Sequence, residues 1–430
     1  MTTISSITQN LKMPSGVDVL IIGGGPAGMT AAAFAKAAGA RVLLIEHNEK
    51  LGKKLYITGK GRCNLSNLCE LEEFLEHVPR NPRFLYAALD FMPPQKLRDW
   101  LDILDCPSMV ERGKRVFPVS QKASDVTRAL AGNLLEKEFR LKTKAVSLMI
   151  QEGRINGVRL SSGDEIHASA VVLATGGLSY PLTGSTGDGH QLAIEAGHRV
   201  SELYPSLTGL ETEEEWPRNL QGLTLKNVNV TLSSRWPEKG RFREQGEVLF
   251  THFGVSGPLV LMLSSYLSGL PIKDIEASID LKPAVEEAVL SRRLESDAAQ
   301  GGRKSLQGLL HEYMPSRLAA LFPEIAGVPG TKPVSQLSAQ ERERLVFRMK
   351  HLSLHISRLR PFSEAVITRG GVNVKEVNPS TMESRLVKGL YFAGELLDVD
   401  ALTGGFNLQI AFSTGALAGH SAGNSAINTD

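Results

Sequence analysis

The chain has 430 residues, a length that allows two or three domains with large cores. Its formal net charge is +2 and its charged fraction is 22%, so composition gives no field that would attract nucleic acid or a membrane. No apolar run reaches the roughly 18 residues that predict a transmembrane helix, and no metal site is predicted. The three cysteines, without a Cys-x-x-Cys pair, fit a protein of the reducing cytoplasm and argue against a disulfide reductase.

The first ordered pattern in the sequence is a strand, a glycine-rich turn, a helix and a second strand. Residues 17–22 and residues 41–46 are short β-rich runs. Between them an alanine-rich helix is predicted from Pro26 to about Ala38, and Gly39 stands where a glycine commonly ends a helix. This order predicts a βαβ unit.

The turn of this unit has the Gly-x-Gly-x-x-Gly spacing that is typical of dinucleotide binding. Gly23 permits the tight turn, Gly25 lets the backbone approach a diphosphate, and Gly28 allows the helix to pack closely on the strand. Pro26 and Ala27 begin the helix, whose free N–H groups favour phosphate. The turn therefore predicts a dinucleotide site.

An acidic residue at the end of the second strand strengthens this prediction. Glu46 lies 18 residues after Gly28 and can accept hydrogen bonds from both hydroxyls of a ribose. Its charge would repel a 2′-phosphate and so disfavours NADP at this site. The remaining alternative is a tight turn that binds no ligand.

Two later strands favour FAD over NAD as the bound dinucleotide. A buried strand over residues 170–174 ends at Thr175 and Gly176, after a predicted antiparallel meander over residues 144–168. Such a strand returns to the same sheet in flavoproteins with the two-dinucleotide-binding fold. A second strand, over residues 389–393, precedes Gly394 and Glu395.

The acid after this second strand has a counterpart in large FAD-binding families, where it binds the ribityl chain. The usual acid is Asp, whereas this sequence has Glu395, with Asp398 three residues further on. We expect one of these two carboxylates to take that role.

The segment after these acids opens a helix that is predicted to end near Gly419. Gly404, Gly405 and Asn407 stand at its start, and N–H groups there would stabilise negative charge on N1 and O2 of a reduced flavin. No second dinucleotide-binding turn occurs in the sequence. NADH or NADPH is therefore expected to be a transient electron donor beside the flavin.

Six ordered segments of the sequence resemble the BaiN/RdsA family of NAD(P)/FAD-dependent oxidoreductases. They are residues 59–64, 183–189, 246–258, 368–372, 381–384 and 394–405. The resemblance implies an α/β, Rossmann-like FAD domain that is interrupted by an inserted domain. Members of the family have been linked to dihydrouridine formation in 23S ribosomal RNA and to reduction of a bile-acid ring double bond. Both reactions reduce a C=C bond conjugated to a carbonyl.

The domain organisation follows from changes in periodicity. We predict a discontinuous FAD-binding domain over residues 1–199 and 358–430, with the insert over residues 200–357. Alternation of apolar and polar residues predicts a β-barrel over about 200–283, and helical periodicity predicts helices over about 284–357. The apolar residues that alternate are Leu225, Val228, Val230, Leu232, Ile275, Ala277, Ile279 and Leu281, and the prolines that would divide the helices are Pro315, Pro323, Pro329 and Pro333.

The helical part of the insert is basic. Residues 282–360 carry 13 Lys/Arg and 8 Asp/Glu, a formal charge of +5. Such a surface could face RNA phosphates, and the alternative is an ordinary solvated helical surface.

Two side chains are candidates for the proton donor that reduction of uracil would need after hydride addition at C6. Cys63 follows Lys60 and Arg62, whose charges would lower the pKa of its thiol. His252 follows a predicted strand and would lie on a loop facing the flavin. The alternatives are a small packed residue for Cys63 and a structural histidine for His252.

Several polar residues of the family segments are predicted to contact the cofactor. Lys60, Arg62, Cys63 and Asn64 would bind FAD or shape its cavity. Asp188 would contact the flavin or substrate, or cap the next helix. Arg369 would bind a phosphate or a substrate carbonyl, or form a surface ion pair.

Three functions remain open on the sequence. The leading hypothesis is an FAD-dependent reductase that converts uridine to dihydrouridine in 23S ribosomal RNA. The second is a flavin reductase of small enones such as steroids or bile acids, and the third is a non-catalytic flavin-binding redox sensor. The sequence does not indicate an oligomeric state.

Overall fold

The predicted βαβ unit is present at the amino end of the chain. It consists of β1 (Gly16–Ile22), α1 (Pro26–Ala37) and β2 (Val42–Ile45). Gly39 has a φ of 96°, the left-handed backbone that commonly follows the last turn of a helix. The structure is a computed structural model that describes residues 16–234, 242–272 and 275–428.

The chain divides into two compact units, which are described separately. The first comprises Met1–Pro205 and Phe362–Asp430, and the second comprises Ser206–Pro361. Besides the βαβ unit, the first contains the strands β3 (Ser66–Asn67), β4 (Ser108–Glu111), β5 (Arg115–Pro118), β6 (Phe139–Arg140), β7 (Ala145–Gln151), β8 (Arg154–Leu160), β9 (Glu165–Leu173), β17 (Ile367–Arg369) and β18 (Leu390–Phe392). Strand β10 (Tyr204–Ser206) begins at the end of the first of the two segments that form this unit. Its other helices are α2 (Leu71–Glu76), α3 (Tyr86–Phe91), α4 (Pro94–Ile103), α5 (Ala123–Gly132), α6 (Asp188–Glu195) and α13 (Phe406–Ile427).

A seven-stranded sheet forms the centre of the first unit. Its order is β6-β2-β1-β9-β8-β7, and β18 also pairs with β9. The pairs that join β6, β2, β1, β9 and β18 are parallel, whereas β7, β8 and β9 form an antiparallel meander. The meander and both returning strands are thus confirmed. Because the carboxyl ends of parallel strands meet at one edge, the turns after β1, β2, β9 and β18 converge there.

Helix α13 packs along α1 and runs eight residues beyond the predicted end at Gly419. A Cβ atom at Gly415, Gly419 or Gly423 would overlap the backbone of α1 at Ala27, Ala31 or Ala35 respectively. These glycines therefore allow two helices to approach closely and do not end α13. The prediction was wrong because this contact joins segments almost 400 residues apart.

The second unit contains a closed barrel of six strands. The strands are β11 (Leu210–Thr212), β12 (Thr224–Ser234), β13 (Phe242–Phe250), β14 (Gly254–Ser256), β15 (Ile275–Asp280) and β16 (Leu352–Leu359). The barrel order is β11-β14-β13-β12-β15-β16, and β11 closes it by pairing with β16. The predicted alternation is confirmed, because Val230, Leu232, Ala277 and Ile279 are all buried in one apolar cluster.

Helices pack against this barrel, with two differences from the prediction. Strand β16 begins within the predicted helical range of about 284–357 and ends at Leu359, because it pairs with the earlier strands β11 and β15. Pro323 does not divide two helices but lies buried in the last turn of one. The helices are α7 (Trp216–Asn219), α8 (Pro258–Leu267), α9 (Glu287–Gln300), α10 (Leu306–Leu310), α11 (Ser316–Ala326) and α12 (Ala339–Lys350).

Within the described residues, no helix combines the length and the apolar character that a membrane span needs.

Candidate functional site

A large cleft lies in the first unit, where the turns after the parallel strands converge. Its empty space is about 1440 Å³ when the part open to solvent is counted. Eleven of the predicted cofactor residues line it, namely Gly23, Gly25, Pro26, Ala27, Glu46, Thr175, Gly176, Asp188, Gly394, Glu395 and Asn407.

The glycine-rich turn presents open space to the cleft at one position only. A Cβ atom at Gly25 would meet nothing within 4 Å, whereas one at Gly28 would overlap the carbonyl oxygen of Gly23. Gly23 itself has a φ of 109° and lies against the backbone of Ala174. This geometry leaves the amino end of α1 accessible, with free N–H groups that favour an anion.

The carboxylate of Glu46 is held at the edge of the cleft by the protein backbone. Its Oε2 accepts a hydrogen bond of 2.7 Å from the amide of Gly24. Its Oε1 accepts from the backbone amide and the side-chain amide of Asn48, each at 2.8 Å. A carboxylate oxygen can accept two hydrogen bonds, so Oε2, which accepts one, retains capacity for a ligand hydroxyl.

Glu395 is fixed in the cleft by two donors from distant segments. Its Oε2 accepts from Nζ of Lys54 at 2.6 Å, and its Oε1 accepts from the amide of Thr368 at 2.8 Å. Lys54 and Thr368 also line the cleft. The carboxylate is therefore oriented before any ligand binds.

Asp188 is the first residue of α6 and does not cap it. The N-cap is Gly187, so the capping alternative for Asp188 was wrong. Burial alone would raise the pKa of Asp188, but hydrogen bonds from Lys144, at 2.9 Å, and Thr186, at 2.9 Å, lower it overall. The residue therefore carries a negative charge at the cleft.

Two buried polar side chains lie at or close to the cleft, those of Thr175 and His190. The hydroxyl of Thr175 is buried and makes no hydrogen bond to any part of the chain that the structure describes. His190, 4% exposed, lies close to Glu395, and its burial lowers its pKa even though Glu395 opposes the shift. His190 is consequently neutral at physiological pH.

Of the three residues that were predicted to lie beside the flavin at the start of α13, one lines the cleft. Asn407 lines the cleft, but its side chain binds the backbone N–H and C=O of Ala401, at 2.9 and 2.7 Å. Gly404 and Gly405 both have positive φ angles, and neither is among the residues that line the cleft. Asn64 lies beside Gly405, with its buried Oδ1 making no hydrogen bond within the described residues.

Cys63 is fully buried in the apolar core, and this contradicts its predicted activation. Burial raises the pKa of its thiol, whereas Lys60 and Arg62 were expected to lower it. Arg62 points away to Glu111 and Gln121 and covers the ring of Phe117 at 4.3 Å.

Neither charged residue of this loop is part of the cleft wall, and their predicted contact with FAD stays a prediction. Lys60 is exposed, and neither Lys60 nor Arg62 lines the cleft. The charges that border the cleft come from other segments.

The two remaining candidates lie outside the cleft wall. His252 belongs to the second unit, where it is exposed between β13 and β14 and lies edge-on to Phe253 at 5.1 Å. Arg369 is the last residue of β17, directly after the cleft residue Thr368, and acts electrostatically on Asp400.

Sequence reasoning missed several polar residues of the cleft. Among them are Asn48, Lys53, Lys54, Lys144 and Thr368. Thr368 lies in the family segment 368–372 without a predicted role, and the other four belong to no recognisable motif, although the adjacent pair Lys53 and Lys54 after Gly52 was a visible concentration of positive charge. Their convergence depends on the tertiary fold.

Comparisons with known proteins agree with this architecture. Residues 17–421 match the family described as HI0933-like protein Rossmann domain. The chain is 30% identical to the 3-dehydro-bile acid delta(4,6)-reductase of Clostridium scindens, over 94% of this chain and 98% of the relative. It is 32% identical to the ribosomal RNA dihydrouridine synthase of Escherichia coli, over 92% of this chain and 96% of the relative.

Solved structures share the fold at low sequence identity. A quinol-fumarate reductase with menaquinol molecules aligns with a TM-score of 0.53 and 18% identity, over 97% of this chain and 73% of that one. The 3-ketosteroid delta1-dehydrogenase from Sterolibacterium denitrificans aligns with a TM-score of 0.50 and 15% identity, over 95% and 100%. The chain therefore belongs to the HI0933-like Rossmann-domain family and is an FAD-dependent oxidoreductase.

Proposed function

We propose that this enzyme reduces a C=C bond conjugated to a carbonyl, and that its substrate is a uridine in 23S ribosomal RNA. The observation that carries the proposal is the near full-length similarity to a dihydrouridine synthase and to a bile-acid delta(4,6)-reductase. Both names denote saturation of a C=C bond. A third relative, the ribosomal RNA dihydrouridine synthase of Haemophilus influenzae, is 30% identical over 92% of this chain and 96% of the relative. Two of the three relatives are thus dihydrouridine synthases, which favours RNA over the small enone.

The residues of the cleft fit FAD. The open backbone at Gly25 and the amino end of α1 would hold the diphosphate, and Glu46 would bind the ribose of the adenosine. Glu395 would bind the ribityl chain, and the first turn of α13 would face the isoalloxazine ring. Bound there, FAD supplies the hydride for reduction.

NADH or NADPH is the electron donor in this proposal. Only one Gly-x-Gly-x-x-Gly turn occurs between a strand and a helix, and FAD would fill it, so the nicotinamide would bind transiently. Anaerobic mixing of the holoenzyme with each nicotinamide measures bleaching of the flavin absorbance. A flavin that both leave oxidised would contradict this donor.

The charge of the insert gives limited support to an RNA substrate. Seven of the thirteen Lys/Arg residues over 282–360 form ion pairs with carboxylates of the same unit. The choice of RNA therefore rests on the relatives and not on a basic surface.

Mapping dihydrouridine in ribosomal RNA, with and without the gene, tests the substrate. Loss of one dihydrouridine on deletion, restored by the purified holoenzyme acting on that RNA, is the expected result. An unchanged modification pattern, together with turnover of a steroid-like enone, would favour the small-molecule alternative.

A further inference from the structure

Asn48 joins two walls of the cleft that are far apart in the sequence. It lies shortly after β2 and lines the cleft. Its side-chain Nδ2 donates a hydrogen bond of 2.8 Å to Oε1 of Glu46 and another of 3.0 Å to the backbone carbonyl of Thr183. Thr183 also lines the cleft, 135 positions further along the chain. One amide group therefore contacts both the proposed ribose-binding acid and a loop that follows β9.

The partners of this amide determine which way it points. The two ends of a side-chain amide have nearly the same shape, so their hydrogen bonds decide the orientation. Oδ1 of Asn48 accepts a hydrogen bond of 3.2 Å from Nζ of Lys53, which can only donate. The carboxylate of Glu46 and the carbonyl of Thr183, on the Nδ2 side, accept. All three contacts are satisfied in one orientation of the amide and none in the other.

The bonds from Asn48 determine how Glu46 is presented to a ligand. Oε1 of Glu46 accepts from the backbone N–H and the side chain of Asn48, at 2.8 Å each, so both of its lone pairs are used. Oε2 accepts from the amide of Gly24 at 2.7 Å and retains one lone pair. The carboxylate has little freedom to turn, because Glu46 is 8% exposed. A ribose hydroxyl would therefore bind to Oε2.

The loop over residues 180–187 packs directly on Asn48. Four of its residues line the cleft, namely Thr183, Gly184, Ser185 and Thr186. The backbone N–H groups of residues 183, 184 and 186 bond to carbonyls of the loop itself, and Leu182 is 91% exposed, so that side chain does not anchor the loop in a core. Gly184 has a φ of 105°, and a Cβ atom there would lie 2.2 Å from Nδ2 of Asn48. The bond from Asn48 to Thr183 thus ties this loop to the segment after β2.

We propose that Asn48 is a positioning residue for FAD, an inference that rests on the proposed place of this cofactor in the cleft. Through Glu46 it fixes the acceptor for one hydroxyl of the adenosine ribose. Through Thr183 it holds the loop over residues 180–187 beside the same part of the cofactor. Removal of the amide releases both contacts at once, so FAD should dissociate faster while the reactivity of its isoalloxazine ring stays the same.

The test compares Asn48→Ala and Asn48→Asp with a matched control, Asn424→Ala, which removes an exposed amide that bonds to His420 on the same helix. In Asn48→Ala the dissociation constant for FAD should rise about tenfold, mainly through faster release. Asn48→Asp should bind FAD more weakly still, because it cannot donate at neutral pH and adds a second negative charge beside Glu46. Turnover at saturating FAD should be unchanged. Equal FAD affinities of Asn48→Ala and the control would overturn the inference.

A second readout separates positioning of the ribose acid from a general loss of structure. The unmodified apoprotein should bind ADP about tenfold more tightly than either 2′-deoxy-ADP or 3′-deoxy-ADP, according to which hydroxyl Glu46 accepts. In Asn48→Ala this ratio should fall towards one, because the carboxylate is no longer held. A ratio that Asn48→Ala leaves unchanged would mean that Asn48 does not act through Glu46 and would overturn the inference.

Hydrogen exchange on the unmodified protein covers the case in which the Asn48 variants do not fold. ADP should slow exchange in residues 46–48 and 180–187 together, and protection of one segment without the other overturns the inference. If the apoprotein binds neither FAD nor ADP, the proposed cofactor site fails and the role of Asn48 fails with it. An enzyme that binds FAD as expected but reduces no uridine would contradict the proposed substrate and support the role of Asn48.

Discussion

Lys54 Nζ lies 2.6 Å from Oε2 of Glu395, although the two residues are 341 positions apart in the chain. One belongs to the segment after β2 and the other follows β18. Because both side chains are only about a quarter exposed, at 24% and 22%, solvent screens this ion pair incompletely. The pair orients the carboxylate that we propose for the ribityl chain.

We expect Glu395→Gln to weaken FAD binding about tenfold, or about 1.4 kcal/mol. Lys54→Met should have a smaller effect of the same sign, because Thr368 still holds the carboxylate. If the two residues act as a pair, the double variant should bind FAD about as well as Glu395→Gln alone. Flavin titration of the apoprotein measures all three, with Lys114→Met, which breaks an exposed ion pair with Glu73, as the control. Strictly additive losses would show that Lys54 does not act through Glu395.

Because α1 and α13 are in close contact, we expect a single added methyl group between them to lower the stability of the protein strongly. Gly419→Ala would force a Cβ atom against the backbone of Ala31, and we expect a loss of about 2–3 kcal/mol in the free energy of unfolding. The control is Gly132→Ala, since a Cβ atom there meets nothing within 4 Å. Denaturant unfolding should show the control unchanged or slightly stabilised. Equal stability of both variants would mean that the helices can separate at little cost.

The stability of the apoprotein should depend on pH through Asp400. The folded pKa of about 6 lies above the unfolded value of about 3.9, so the folded state keeps the proton longer as pH rises. The contribution of Asp400 to stability therefore falls between about pH 4 and pH 6 and is constant above. At pH 7 Asp400→Asn should be more stable than the unmodified protein by up to about 3 kcal/mol, with no difference at pH 4. Unfolding curves at the two pH values provide the measurement, and a variant that is less stable at pH 7 would contradict the buried, unpaired state.

Substitution of Cys63 tests whether this residue has the proton-donor role that its pattern in the sequence suggested. Since its thiol is fully buried and burial raises its pKa, Cys63→Ala should keep the rate of substrate reduction within about twofold. The free energy of unfolding should fall by about 1–2 kcal/mol, because a core side chain is shortened. Stopped-flow reoxidation and denaturant unfolding of the same preparation separate the two effects. A loss of rate without a loss of stability would restore Cys63 as a candidate.

Short-range features of this protein could be predicted from the sequence because neighbouring residues determine them. The turn at Gly23, Gly25 and Gly28 requires particular backbone angles and particular free space, and those requirements leave a pattern within six residues. The alternating residues of β12 and β15 likewise reveal one buried face of each strand. The family could also be inferred, because its motifs occur in order along the chain.

The tertiary structure decided which side chains meet. Arg62 turns to Glu111 and Gln121, Cys63 enters the core, and Lys54 joins Glu395, and none of these outcomes has a local cause. The sequence by itself determined the βαβ turn, the strands and the class of cofactor, since these depend on backbone geometry over a few residues. Burial and ion pairing were decided only by folding, because a side chain's pKa and partners depend on segments that the chain order keeps far apart.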